Sequence, residues 1–186
     1  MTMNEILFAT GNDRKIAEAR AACDDFNITV KQIKLTIDEI QSHDPVEISM
    51  RKVEEAYRQM QSAVVITDTS WSIPALNGFP GGYMKDVAEW FKPEDFINLV
   101  APGTDRRISF TETIIYKDAN TTKLFSKEYI GTISAEPRGH GNSVEQITEF
   151  DGHTLAERHD QGKLSHDPKE YIWYEFAQWY QAEISV

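Results

Sequence analysis

The sequence contains one cysteine, Cys23, in 186 residues, so no disulfide bond can form within the chain. A single thiol is compatible with a reducing compartment, and we expect Cys23 to be a small buried side chain. No apolar run reaches the roughly 18 residues needed to cross a bilayer, so no membrane span is expected. The first residues lack the basic start and long apolar stretch of a signal peptide, which predicts a cytoplasmic protein.

Basic residues are in the minority, with 19 Lys and Arg against 30 Asp and Glu, and the formal net charge is −11. This charge argues against non-specific binding to nucleic acid or to an anionic membrane. It does not exclude a small phosphate ligand, because local lysines and a bound metal ion can supply positive charge. The length suits one domain or one compact two-lobed unit that folds without a disulfide or a structural metal.

Strand-like and helix-like segments alternate along the chain, which predicts an α/β fold. Two alternating segments separated by a polar turn at 118–121 predict a β-hairpin, so the sheet should be mixed rather than purely parallel. The run at 63–67 predicts a short buried strand that ends just before Asp68. The predicted strands are 5–10, 29–35, 63–67, 107–116 and 123–133.

Helix starts are also visible in the sequence. Asn12 is placed to cap one helix, and Asp44 to cap another that has Pro45 at its first position. Glu47 has the spacing that completes a capping box with Asp44. Further helices are predicted at 93–100 and, rich in aromatic residues, at 169–182. Residues 72–92 are predicted to be loop, and 137–168 to be irregular.

A first candidate binding segment is 8–15, where a strand leads through Gly11 into a helix. Such a turn exposes backbone N–H groups and the positive end of the helix to an anion. Lys15, in the first helical turn, can reach a phosphate, and Gly11 permits close backbone approach. By itself this pattern is equally typical of an ordinary strand–helix turn.

Two carboxylates are candidate magnesium ligands. Asp68 follows a buried strand, at the place where α/β sheets bind ligands, and it could hold Mg²⁺ or polarise a water molecule. In isolation it could equally cap a turn. Glu39 could supply a second carboxylate, with Asp38 as its neighbouring competitor, or be a solvated surface acid. Lys52 and Lys85 are each interpretable as ordinary surface lysines.

Taken together, these segments resemble the inosine triphosphate pyrophosphatase family, which removes non-standard purine nucleotides. The resemblance rests on FATGNDRK (8–15), DEIQSHDPVEISMRKVEEA (38–56), VVITDTSWSIPALNGFPGGYMK (64–85) and GTISAEPRG (131–139), in that order. It implies a single domain over 1–186 with an elongated α/β fold. In that fold a long central mixed sheet is flanked by helices, a cleft separates two lobes, and the protein is usually a homodimer.

The resemblance also implies roles for individual residues. The triphosphate would be bound by the segment from Thr10 to Lys15 and by residues further along the chain. Glu39 and Asp68 would hold Mg²⁺, and Asp68 would help to activate the attacking water, so Asp68, Glu39 and Lys15 are the predicted catalytic residues. The full predicted substrate-binding set is Thr10, Gly11, Asn12, Lys15, Lys52, Thr69, Ser70, Lys85 and His166.

The sequence departs from the family where the base should be read. Members usually follow Pro-Arg-Gly with an aromatic-Gly-aromatic-Asp-Pro stretch, whereas residues 140–147 contain no aromatic residue and no Asp-Pro. Their Ser-His-Arg motif is Ser165-His166-Asp167 here, a charge reversal. The phosphate and metal half matches the family and predicts hydrolysis of a nucleoside triphosphate, whereas purine selectivity does not follow from the altered base half. The resemblance implies ITP, dITP or XTP as substrates. The alternatives are a nucleotide-binding protein with lost or altered catalysis, or a homodimeric interaction protein that keeps only the fold.

Overall fold

The computed structural model describes residues 4–100, 103–162 and 167–184. Within these residues no helix is long and apolar enough to cross a membrane. The strands are β1 (Asn4–Ala9), β2 (Ile28–Ile33), β3 (Val64–Ile73), β4 (Phe79–Gly81), β5 (Arg107–Lys117), β6 (Thr122–Ile133), β7 (Thr148–Phe150) and β8 (His153–Thr154). The α-helices are α1 (Asp13–Cys23), α2 (Pro45–Met60), α3 (Met84–Trp90), α4 (Pro93–Leu99), α5 (Leu155–Asp160) and α6 (Ile172–Glu183).

The strands form one mixed sheet in the order β2-β1-β3-β5-β6-β7-β8, and β4 pairs with β3. Strand β1 is parallel to β2 and β3, whereas β7 is antiparallel to both β6 and β8. The predicted mixed α/β sheet is therefore confirmed. Short turns join β3 to β4, β5 to β6 and β7 to β8, while helices lie between β1, β2 and β3 in the chain, as parallel pairing requires.

The β5–β6 hairpin keeps one register along its length. At the turn, the N–H of Asp118 donates to the carbonyl of Thr121 over 2.9 Å, and at the other end Ile133 donates to Arg106 over 2.8 Å. Both pairs have the same alignment, which corresponds to Glu112 opposite Lys127. The hairpin predicted from the alternating pattern is confirmed.

The chain divides into two compact units. The first consists of residues 4–68, 112–127 and 167–184, and the second of residues 69–100, 103–111 and 128–162. Three strands, β3, β5 and β6, contribute residues to both units.

In the first unit, helices cover both faces of the sheet. On one face, Val53 and Ala56 of α2 pack against Ile66 and other buried apolar residues. On the other face, α6 brings Trp173 to within 4.8 Å of Phe8, measured between ring centroids. The aromatic residues of α6 thus belong to the core. Cys23 is fully buried at the end of α1, as expected, and burial raises the pKa of its thiol to about 12.

The second unit has its own apolar core. Trp71 of β3 is buried and lies 5.1 Å from the ring of Phe110 on β5. Phe96 of α4 is fully buried in the same cluster, as is Ile147 beside β7. The helix predicted at 93–100 is confirmed as α4, and it supplies the Phe96 side chain to this core.

Three predictions of secondary structure were wrong. Strand β3 does not end before Asp68 but continues to Ile73, because β4 pairs with its second half and satisfies that backbone. The segment 72–92 is not all loop, since it contains β4 and α3. The segment 137–168 contains α5, whose start is a capping box formed by Thr154 and Glu157.

Helix α2 begins as predicted at its cap but not in its capping box. The Asp44 carboxylate accepts a hydrogen bond from the N–H of Val46 over 2.9 Å, and Pro45 occupies the first helical position. Glu47, however, does not bond back to Asp44. Its carboxylate accepts from the hydroxyl of Ser42 over 2.8 Å, and the same hydroxyl accepts the N–H of Asp44 over 3.1 Å. The N–H of Asp44, which Glu47 was expected to bond, is therefore bonded by the hydroxyl of Ser42 instead.

Candidate functional site

The start of α1 is organised by Asn12. Its side-chain oxygen accepts hydrogen bonds from the N–H groups of Arg14 and Lys15, over 2.9 and 3.3 Å. Its own N–H donates to Thr10 Oγ1 over 3.1 Å. The predicted cap is confirmed. Three N–H groups expected to face an anion are thus already bonded within the turn.

Two N–H groups of this turn, those of Gly11 and Asp13, have no acceptor among the residues that the structure describes. Around Gly11 the same part of the chain leaves open space, since a Cβ built there would meet no atom within 4 Å. The fold itself therefore does not require glycine at this position. An anion at the turn would depend on these two N–H groups and on nearby cationic side chains.

Lys15 lies half-buried in the first turn of α1. Removal from water lowers the pKa of its ammonium, and the charges of Asp68 and Glu112 partly oppose this shift. The neighbouring charge of Lys52 lowers the pKa further. Because such effects act over short distances, Lys15, Lys52, Asp68 and Glu112 share one electrostatic neighbourhood in the first unit.

Asp68 is the last residue of β3 that belongs to the first unit, and it is half-buried. Its Oδ2 lies 3.4 Å from the hydroxyl of Ser49 on α2. The Ser49 hydroxyl lies closer, at 2.9 Å, to the carbonyl oxygen of Pro45, which takes its single proton. Asp68 consequently faces α2 while staying near the start of α1.

Glu39 and Lys52 form a direct ion pair, with 2.6 Å between Oε1 and Nζ. The Lys52 side chain is only 18% exposed and that of Glu39 is 43% exposed. A loop carboxylate is thereby held against α2, beside the neighbourhood of Lys15. Across residues 4–100, 103–162 and 167–184, no three His, Cys, Asp or Glu side chains converge as a preformed metal site. The predicted magnesium site has only two protein carboxylates, Glu39 and Asp68, which is fewer than such a group of three.

The other predicted residues lie elsewhere. Thr69 and Ser70 continue β3 into the second unit and are half-buried. Lys85 is an exposed residue of α3, also in the second unit. His166 lies outside the described residues. Within one unit the structure thus brings together Lys15, Lys52, Glu39 and Asp68, with Thr10, Gly11 and Asn12 in the adjoining turn.

A model of the Ham1 family matches residues 6–170 of the chain. This chain belongs to the Ham1 family. It is 34% identical over 171 residues to a Trypanosoma cruzi (strain CL Brener) protein named inosine triphosphate pyrophosphatase 2, covering 89% of this chain and 87% of the relative. It is 30% identical to a Methanopyrus kandleri protein named dITP/XTP pyrophosphatase, covering 97% of this chain and 98% of that one.

Solved structures of the Ham1 family share the fold. A HAM1 protein from Coxiella burnetii superposes with a TM-score of 0.77 at 24% identity, covering 97% of this chain and all of that one. The Staphylococcus aureus Ham1 protein gives a TM-score of 0.74 at 23% identity, with 96% and 99% covered. The central mixed sheet with flanking helices is therefore the Ham1 architecture.

Glu112 and Ser49 are members of this neighbourhood that sequence reasoning missed. Ser49 offers no sequence signal, because a serine inside an amphipathic helix is common. Glu112 does offer one. It occupies a position of β5 that shares a face with Phe110 and Ile114, where the alternation calls for an apolar side chain. A carboxylate at such a position of a buried strand indicates a local partner of positive charge.

In this Ham1-family chain, the arginine of the Pro-Arg-Gly segment at 137–139 has a structural role. The Arg138 guanidinium bonds to Glu149 over 2.6 Å and to Glu157 over 3.2 Å. Its partner Glu157 also accepts the N–H of Thr154 at the start of α5, and this bond, with the help of Arg138, lowers the pKa of that carboxyl. Arg138 therefore ties α5 to β7 within the second unit.

Proposed function

We propose that this Ham1-family chain is a nucleoside triphosphate pyrophosphohydrolase, releasing a nucleoside monophosphate and pyrophosphate by water attack at the α-phosphorus. Its substrates would be non-standard purine nucleotides such as ITP, dITP or XTP, in keeping with the names of its relatives. The observation that carries the proposal is the grouping of Lys15 and Lys52 with the carboxylates Asp68 and Glu39.

Charge supports this assignment. A triphosphate has close to four negative charges at neutral pH, so cations must converge on it. Lys15 and Lys52 supply two within a half-buried neighbourhood, where charges interact more strongly than in water. The open space beside Gly11 admits a phosphate close to the backbone. Lys85, together with Thr69 and Ser70, would complete the phosphate contacts, and His166 would contact the base.

The carboxylates suit magnesium, which prefers oxygen ligands and usually takes one or two carboxylates with phosphates and waters. Asp68 and Glu39 would hold it, and Glu39 would exchange its ion pair with Lys52 for the metal. Lys52 would then be released toward a phosphate oxygen. A bound Mg²⁺ would neutralise charge on the phosphates. Asp68 would accept the proton of the attacking water, and Lys15 would stabilise the developing charge.

A second candidate function is nucleotide binding with lost or altered catalysis. It is favoured by residues 140–147, where polar groups are used locally rather than offered to a base. Gln146 donates to the carbonyl of Gly141 over 2.9 Å, and Glu145 is buried and accepts from the N–H of Asn142 over 3.2 Å.

Cytoplasmic location and a homodimeric assembly also belong to the proposal, and sedimentation velocity would test the assembly.

A substrate panel separates the two functions. The protein is incubated with Mg²⁺ and a set of natural and deaminated triphosphates, and pyrophosphate release is followed. Release that is fastest from ITP, dITP or XTP supports the pyrophosphohydrolase. Thermal stabilisation by a triphosphate without any release supports the binding protein instead. Omitting Mg²⁺ should abolish release, and full activity in EDTA would contradict the metal assignment.

Replacing Gly11 with alanine should raise KM for the triphosphate several-fold while leaving the free energy of unfolding unchanged within about 0.5 kcal/mol. The added methyl group meets no atom of the described protein, so only a ligand approaching the backbone would be affected. Steady-state kinetics and urea denaturation measure the two quantities. An unchanged KM would show that no phosphate approaches this turn.

Replacing Lys15 with methionine should lower kcat/KM by about 30- to 100-fold, because a half-buried cation that contacts charge developing in the reaction is lost. Methionine keeps the apolar stem and the helix propensity. The matched control is Lys34→Met, which removes an exposed lysine of the same unit and should have little effect. Equal losses in the two variants would remove Lys15 from the site.

A further inference from the structure

The turn between β1 and α1 is attached to the end of β2 by two hydrogen bonds. The N–H of Thr10 donates to the carbonyl of Ile33 over 3.0 Å. The carbonyl of Thr10 accepts from the side-chain amide of Gln32, whose Nε2 lies 3.1 Å away. Strand β2 ends at Ile33, so the Gln32 side chain supplies the donor that a longer strand would supply from its backbone.

The orientation of the Gln32 amide follows from its neighbours. Besides the Thr10 carbonyl, the same nitrogen lies 3.5 Å from Oδ1 of Asp13 at the start of α1, at the outer limit of a hydrogen bond. A carbonyl oxygen and a carboxylate accept hydrogen bonds and donate none, so the NH₂ end of the amide faces the turn. Gln32 therefore holds the Thr10 carbonyl toward β2.

The carbonyl of Thr10 and the N–H of Gly11 belong to one trans peptide unit, so they point in opposite directions. With the carbonyl held toward β2, the N–H of Gly11 is directed to the other side of β1, where β3 lies in the sheet. Counting on from the parallel pairing of Phe8 with Val65, Gly11 is level with Asp68 of β3. The N–H of Gly11, which has no acceptor among the described residues, thus points toward the side on which Asp68 lies.

We infer that Gln32 is a positioning residue of the phosphate site, which aims the N–H of Gly11 at a phosphate oxygen of the substrate. The inference rests on the proposed function for the identity of the ligand. An N–H that already has the right direction needs no reorganisation when the charged oxygen arrives, and its bond to that oxygen is strong. Without the Gln32 amide the peptide plane can rotate, since glycine permits most of the resulting conformations.

Gln32→Met tests the inference, because methionine keeps the length of the side chain but has no N–H. The probe is inorganic tripolyphosphate with excess Mg²⁺, and isothermal titration calorimetry measures its affinity. The variant should bind the probe about five- to tenfold more weakly than wild type, since one bond to a charged oxygen is misdirected. With a triphosphate substrate, KM should rise by a similar factor while kcat changes little, because the bond is present before and during the reaction.

Gln61→Met is the matched control. Gln61 donates to the carbonyl of Arg58 over 2.8 Å at the end of α2, so its replacement removes the same kind of bond from the same unit. It should leave the affinity unchanged. Gln32→Glu, which has the same shape and no donor when ionised, replaces Gln32→Met if that variant melts early. Wild-type affinity in a folded Gln32 variant means that Gln32 only joins β2 to the turn, and overturns the inference.

A double-variant cycle tests whether Gln32 acts through Gly11. Gly11→Ala obstructs the approach of a phosphate to the same N–H. The protein with both replacements should therefore bind the probe about as weakly as the weaker of the two single variants. Losses that add in full would show that Gln32 and Gly11 act independently, which contradicts the inference.

The Gly11 amide can also be observed directly by NMR. In the ¹⁵N-labelled protein its resonance is identified by its absence from the spectrum of Gly11→Ala. Tripolyphosphate with Mg²⁺ should move the proton resonance downfield in wild type, because a hydrogen bond to a charged oxygen is short. The displacement should be about half as large or less in Gln32→Met. A displacement equal to that of wild type overturns the inference.

The outcome is separable from that of the proposed function. If wild type releases no pyrophosphate from any triphosphate but Gln32→Met weakens tripolyphosphate binding, hydrolysis fails and the positioning role stands. If wild type hydrolyses its substrate and Gln32→Met binds the probe as wild type does, only the role of Gln32 fails. A wild-type protein that does not bind tripolyphosphate also overturns the role of Gln32, whatever its turnover.

Discussion

Asp68→Asn is expected to lower kcat for pyrophosphate release by about 10²- to 10³-fold. The amide keeps the size of the side chain but cannot accept the proton of the attacking water, and it is a weaker magnesium ligand than a carboxylate. The contact with Ser49 can be kept, since the amide oxygen can occupy the position of Oδ2. The measurement is single-turnover pyrophosphate release at saturating substrate and Mg²⁺.

Asp38→Asn provides the control for this prediction. Asp38 is an exposed carboxylate in the loop next to Glu39, and it was the competing candidate for the second metal ligand. Its replacement should change kcat by less than threefold if Glu39 is the ligand. An Asp68→Asn protein that melts like wild type and keeps wild-type turnover would contradict the catalytic assignment of Asp68.

Gly139→Ala is expected to reduce the free energy of unfolding by about 3 kcal/mol. Gly139 has φ of +77°, a conformation that costs energy for any residue with a side chain. A Cβ at this position would lie 2.5 Å from the backbone nitrogen of Glu157 and 2.6 Å from the carbonyl carbon of Ala156. Backbone atoms of α5 cannot move away without breaking its capping box. Urea denaturation measures the loss.

Gly152→Ala separates strain from steric overlap. Gly152 also has a positive φ, +82°, but no atom of the described residues lies within 4 Å of a Cβ built at this position. Its replacement should cost only about 1 kcal/mol, from the backbone conformation alone. Similar losses in the two variants would show that α5 yields to the new methyl group, which would contradict the close packing of Gly139 against it.

Features coded by a few neighbouring residues were predictable. Asn12 and Asp44 cap their helices as expected, because a capping side chain needs only the next two or three residues. The hairpin was predictable for the same reason, since alternation and a polar turn suffice. The failures involve partners distant in the chain. The second half of β3 is a strand because β4 pairs with it, and β4 is a three-residue strand with no pattern of its own.

The candidate site shows the same division. The resemblance of their segments to the family selected Lys15, Glu39, Lys52 and Asp68, since each alone is equally an ordinary surface or capping residue. Lysines and carboxylates also suit phosphate and magnesium chemistry. Their grouping depends on parallel pairing of β1 with β3 and on α2 packing over the sheet. Glu112 entered this group through the strand order, since β5 lies next to β3 although more than thirty residues of chain separate them. Local chemistry can be read in a linear chain, whereas neighbours across a sheet arise from long-range pairing that no short segment encodes.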